Sequence, residues 1–124
     1  MRKAAFILAA MLTAVPAHAF AQGPTVAEFL TRVRAVIEMG EAAAGTPAMQ
    51  QVRSDVAAAG QAIRARQQAE RSAGTPPTLC IPEQATADGD LITHLMAIPE
   101  AQRGMPLAEA FAGYVRRKFP CPAR

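Results

Sequence analysis

Apolar residues recur at three- and four-residue spacing in four stretches of the chain, separated by glycine, proline and small polar residues. That period is the mark of helices that bury one face. The first stretch opens at Thr25-Val26-Ala27-Glu28, which has the form of a capping box. The threonine hydroxyl serves a backbone N–H in the first turn, and Glu28 reaches back to the cap residue. Val26, Phe29, Leu30, Val33 and Ile37 then form one apolar face, with Gly40 and Gly45 as candidate ends. Thr46-Pro47 opens a second helix, with Thr46 as cap and Pro47 in the first turn, where a missing N–H costs nothing. Its stripe is Met49, Val52, Val56, Ala59 and Ile63. From Arg64 to Arg71 the pattern turns polar, so this end is expected in solvent, and Gly74-Thr75-Pro76-Pro77 stops the helix.

Cys80-Ile81-Pro82 is expected to be extended, because a residue before proline avoids the helical region. A shorter third helix is predicted from Ala87 to Ile98, carrying Leu91, Ile92, Leu95 and Met96, with Asp88 or Asp90 in its first turn and Pro99 as its stop. The fourth starts with Pro106 at a first helical position and places Leu107, Ala110, Phe111, Tyr114, Val115 and Lys118 on one face, with Phe111 in the core. Pro120 ends it. No run alternates apolar and polar over the length of a strand. The pattern predicts an all-α fold, a small bundle of about four helices.

Residues 1–21 belong to none of these helices. Arg2 and Lys3 precede an apolar run from Ala4 to about Val15, Pro16 breaks it, and small residues follow at Ala17-His18-Ala19 and Ala19-Phe20-Ala21. A basic start, a short apolar run and an A-x-A site describe a secretory signal peptide, cleaved after Ala19 or Ala21. The run is about 12 residues, whereas a membrane-spanning helix needs roughly 20. No cysteine follows the site, so a lipoprotein anchor is not indicated, and no membrane association is expected after cleavage. Residues 22–124 are then one helical domain in the periplasm.

Removing the signal changes the charge. Two of the 13 basic residues lie in it, and the remainder is nearly balanced against the 10 acidic residues. Nucleic-acid binding wants a basic patch interleaved with aromatics. The one basic cluster, Arg116-Arg117-Lys118, sits where cations complement a helix dipole, so no nucleic-acid partner is expected.

Cys80 and Cys121 are the two cysteines of the chain. The periplasm oxidises thiols, and an even pair there reads as a disulfide, which would staple the bundle. A thiol nucleophile would need an adjacent base, and a metal site three or four grouped ligands. His94, the single histidine beyond the signal, reads as a partly buried helix residue, and Asp88 with Asp90 as a helix cap. The sequence holds no glycine-rich phosphate loop, no nucleophile elbow and no His-Glu-x-x-His motif. The expectation is a protein with no catalytic residues, cofactor or metal, acting by binding.

The C-terminal half carries a more particular pattern. Cys80-Ile81-Pro82-Glu83 is followed by Leu91-Ile92 and Leu95 on a helix and by Ile98-Pro99-Glu100. After a loop, Pro106 opens a helix with Ala110-Phe111, and Phe119-Pro120-Cys121-Pro122 closes the segment. This resembles the Rap/Tai family of type VI secretion amidase immunity proteins, short exported helical proteins with a C-x-P-E…F-P-C frame around two helices. The resemblance covers roughly Cys80 to Pro122. It implies a periplasmic protein that binds and inhibits a peptidoglycan amidase toxin, and it leaves a homodimer open. The solvent-facing end of the second helix and the loop between Ile98 and Pro106 are the candidate contacts. The alternative is an exported helical binding or stress protein, chaperone-like, without an amidase partner.

Overall fold

The computed structural model describes residues 23–123, so the expected signal peptide over residues 1–21 lies outside the described residues. Four α-helices follow in order: α1 Val26–Met39, α2 Pro47–Ala73, α3 Gly89–Met96 and α4 Leu107–Lys118. Short 3₁₀ turns occupy Gly40–Ala43 and Glu100–Gln102. The described residues contain no strand, only an isolated bridge between Thr25 and Pro106, and the fold is the expected all-α bundle.

The local signals act as expected. Thr25 accepts from the Glu28 N–H, and Glu28 accepts from the Thr25 N–H at 2.8 Å, completing the capping box. Thr46 caps α2 by accepting from the Met49 N–H. Gly74 ends α2 at φ 66°, the left-handed region that side chains disfavour. There its N–H donates to the Arg71 carbonyl and the Thr75 N–H to that of Glu70, a Schellman-type closure.

One long-range feature ties the two ends of the bundle. The first N–H groups of α1 have no partner within the helix. Val26 N–H donates instead to Met105 O at 3.0 Å and Ala27 N–H to Arg103 O at 2.9 Å, while Leu107 N–H donates back to Pro24 O at 2.9 Å. The 98–106 loop is therefore a fastener between the starts of α1 and α4. Pro106 lies just outside α4, one position earlier than expected, with its carbonyl accepting from Glu109 and Ala110.

α2 packs chiefly against α4 and α1, and α3 lies on α4. Phe29, Leu79, Leu91, Leu95 and Leu107 are fully enclosed, and Phe111 is in the core as expected. Three further expectations need correction. Ile37 is 64% exposed, and Val36 is buried in its place. Val36 lies on the flank of α1 where Arg32, one turn earlier, reaches Asp55 of α2. Ile37 faces the other way, toward an α3 only eight residues long. α3 is also shorter than predicted: Asp88 caps it, and Ile98, before Pro99, closes a tight turn onto Leu95 O. Met96 at its end is 58% exposed.

The third correction concerns α2. Its polar end is not merely solvated. Gln67 is only 6% exposed and continues the stripe one turn beyond Ile63.

Candidate functional site

Cys80 and Cys121 form the expected disulfide, with Cα atoms 5.2 Å apart across a separation of 41 residues. The bridge joins the extended segment after α2 to the tail of α4, so that α3 and α4 lie inside the closed loop.

Polar residues of α2 hold that segment in place. Ile81 N–H donates to the Gln67 side-chain oxygen at 2.8 Å, and the Gln67 amide donates to Ile81 O at 3.4 Å. This pairs a buried main-chain unit that no helix or strand supplies, which is what buried peptide groups require. Glu70 accepts from Thr78 N–H at 2.9 Å and from the Thr78 hydroxyl. Burial pushes the Glu70 carboxyl up, but the bonds from Thr78 and Leu79 and the charge of Arg66 outweigh it and hold the group below its ordinary range. Arg64 donates to Ala85 O at 2.9 Å and to Pro82 O at 3.4 Å.

A second cluster joins α3 to α4. Asp88 caps α3 through Asp90 N–H, and it also accepts from the Tyr114 hydroxyl at 2.8 Å and from Lys118. The bonds from Lys118 and Tyr114 hold the Asp88 carboxyl below its usual value. His94 packs on the Tyr114 ring with centroids 5.6 Å apart, and its Nδ1 lies 3.5 Å from an Arg117 nitrogen. Burial, and then the Arg117 charge, push the imidazole below its ordinary value. The carboxylate and ammonium of this cluster serve the fold: Asp88 is a cap, as expected, and Lys118 anchors it. No group of three or more His, Cys, Asp or Glu among the described residues could hold a metal ion.

The third region is an exposed groove between α1 and α3. Leu30 and Val33 form its floor, Ile37 and Met96 its apolar walls, and Arg34 and Arg103 its rim. Ile37 and Met96, with Met39, are the large apolar side chains most open to water among the described residues. Arg103 is fixed: it donates to Ile98 O and Met96 O, both at 3.0 Å. No carboxylate among the described residues pairs with Arg34. Exposed apolar surface rimmed by polar groups on a rigid support is the usual make-up of a protein-binding site.

Of the two contact regions expected from sequence, the end of α2 uses Arg64, Gln67 and Glu70 to hold the 78–85 segment and leaves Gln68 and Arg71 exposed. The 98–106 loop is partly spent on the starts of α1 and α4, and Arg103 and Met96 bring it to the edge of the groove. Periodicity alone misses Gln67 and Arg64 as organising residues. The available signal is Gln67 itself, a polar residue at a stripe position, whose amide can be there only to satisfy something buried.

Fold and site together define a small disulfide-stapled helical module with a candidate protein-binding groove. Comparison with protein-family models, with curated proteins and with solved structures gives no match.

Proposed function

We propose that this chain is a periplasmic immunity-type protein that binds and inhibits a peptidoglycan amidase delivered by type VI secretion. The observation that carries the proposal is the closure of Cys80-Ile81-Pro82-Glu83 onto Phe119-Pro120-Cys121-Pro122, with α3 and α4 inside, the arrangement the resemblance implies. Export by residues 1–21 is part of the same proposal, and the disulfide is compatible with an oxidising compartment.

Inhibition by binding needs a rigid surface with a few apolar anchors. The groove offers Ile37 and Met96 as anchors and Arg34 and Arg103 as cations that favour an acidic rim on the partner. Nanomolar affinity corresponds to about −12 kcal/mol, and interfaces of that strength bury roughly 1,200–2,000 Å². The groove can be the centre of such an interface, with the surrounding surfaces of α1 and α3 as its rim.

Co-expression tests the proposal. An amidase encoded beside this gene and directed to the periplasm should lyse cells alone and spare them when this chain is present. Ile37→Asp with Met96→Asp should restore lysis while the chain stays folded. Lysis with the unaltered chain, and no complex on a sizing column, would remove the immunity reading for that pair.

One observation favours the alternative, an exported chaperone-like binding protein. His94 beside Arg117 makes the α3–α4 contact sensitive to acid. A protein of that kind should expose apolar surface on acidification and hold unrelated unfolded proteins in solution.

A further inference from the structure

A second concave site lies on the other side of the bundle, where α2, α4 and the segment after Cys80 meet. It is a partly open cavity of about 230 Å³ walled by Val56, Ile63, Ile81, Phe111, Val115 and Phe119. Apolar cavities of about 150 Å³ are large enough to take a benzene ring. The groove between α1 and α3 shares none of these residues.

Two features of the cavity are not explained by packing. The first is Gly60, in the interior of the 27-residue α2 and on the cavity wall. Glycine there weakens the helix relative to alanine. Its backbone is ordinary helix, and an added Cβ would meet only the Phe111 ring edge at 3.6 Å, normal van der Waals contact. Neither conformation nor crowding demands glycine. What the missing side chain does is keep the cavity open between α2 and Phe111.

The second is Arg64, one turn further along α2, which also lines the cavity. Its terminal nitrogen is tied to the carbonyls of Pro82 and Ala85, which fixes the guanidinium at the edge that the cavity shares with this segment. The Nε–H and the other terminal nitrogen are not engaged by these carbonyls, and each can donate to a carboxylate. No carboxylate among the described residues pairs with Arg64. An apolar cavity with a fixed, unneutralised cation at its edge is complementary to a molecule with an apolar body and an anionic head.

We propose that this cavity binds a small amphipathic carboxylate, its apolar body against Phe111 and Val115 and its carboxylate on Arg64. The site is independent of the amidase-inhibitor reading and survives its failure.

Octanoate is the probe, and octanamide, of the same shape without the charge, is the control. Titration of the full chain, followed by methyl NMR, should show one saturable octanoate site that shifts Ile63, Ile81 and Val115. Octanamide should bind at least about tenfold more weakly, since hydrogen bonds to charged groups are the stronger kind. Arg64→Gln should abolish the preference for octanoate while leaving the weak octanamide binding. Gly60→Leu should fill the cavity and remove binding of both. Equal binding of octanoate and octanamide to the unaltered chain would overturn the proposal, whether or not either variant folds. So would shifts confined to Ile37 and Met96, or no saturable binding at all.

Discussion

At the scale of single residues, Gln67 does more than its polarity suggests. Both ends of its amide are bonded to the main chain of Ile81, and both residues are buried. Gln67→Ala strands a buried N–H and carbonyl and should cost about 1–3 kcal/mol. The exposed neighbour Gln68→Ala should stay within about 0.5 kcal/mol, and equal urea midpoints for the two variants would contradict the assignment. His94 gives a prediction in pH. Its folded-state value lies below the ordinary 6.5, so the unfolded chain binds its proton first. Stability contributed by neutral His94 is complete above that value and declines as the pH falls from 6.5 toward the folded value. The groups facing the ring are Tyr114 and Arg117 of α4, with Asp90 and Lys118 bordering the same cleft. Asp88 acts in a separate window. Its carboxyl is held below the ordinary 3.8, so its contribution is present above 3.8 and is lost below it. His94→Gln should therefore flatten the stability profile just below pH 6.5 and leave the loss below 3.8 in place. A profile that keeps its slope just below pH 6.5 in His94→Gln would assign that slope elsewhere.

At the scale of elements, α4 is the centre of the packing, with seven buried residues among its twelve. Phe111 lies where α4 crosses α2, near Gly60 and against the Tyr114 ring with centroids 6.2 Å apart. Phe111→Ala should cost about 3–5 kcal/mol, read from the denaturation midpoint, and an unchanged midpoint would mean that the α2–α4 contact is not the core. Elements of this kind are legible in the sequence wherever the cause is local. The Thr25 box, the Thr46-Pro47 start and the Gly74 stop each act within a few residues, and all three are where the pattern puts them. What escapes depends on distance. Val36 and Ile37 are equally good continuations of the α1 stripe, and the choice between them is made by the packing of the neighbouring helices. The role of Gln67 is set by a partner 14 residues away across a proline-rich turn. The bridge of the candidate site is readable because two cysteines leave one pairing. The groove is not, because its floor and walls are apolar residues that the same periodicity assigns to the buried faces of α1 and α3.

At the scale of the whole molecule, the disulfide closes the half of the chain that holds α3 and α4. A loop of this length corresponds to roughly 4 kcal/mol in the chain-entropy description, a large share of the roughly 5–15 kcal/mol typical of a domain. Replacing both cysteines by serine should lower stability by about 2–5 kcal/mol, and a shift of a degree or two in melting temperature would mean that hydrogen bonds from α2 alone secure the 78–85 segment. Such a scaffold suits a protein that works by presenting a surface, and in the proposed function that surface blocks an amidase. The direct measurement is a titration of an amidase encoded beside this gene, acting on purified peptidoglycan, with the purified chain. Activity should fall linearly to zero at a fixed molar ratio, and Ile37→Asp with Met96→Asp should weaken inhibition at least about a hundredfold, as loss of central anchors does. Full amidase activity in the presence of excess folded, disulfide-bonded chain would contradict the proposed inhibition.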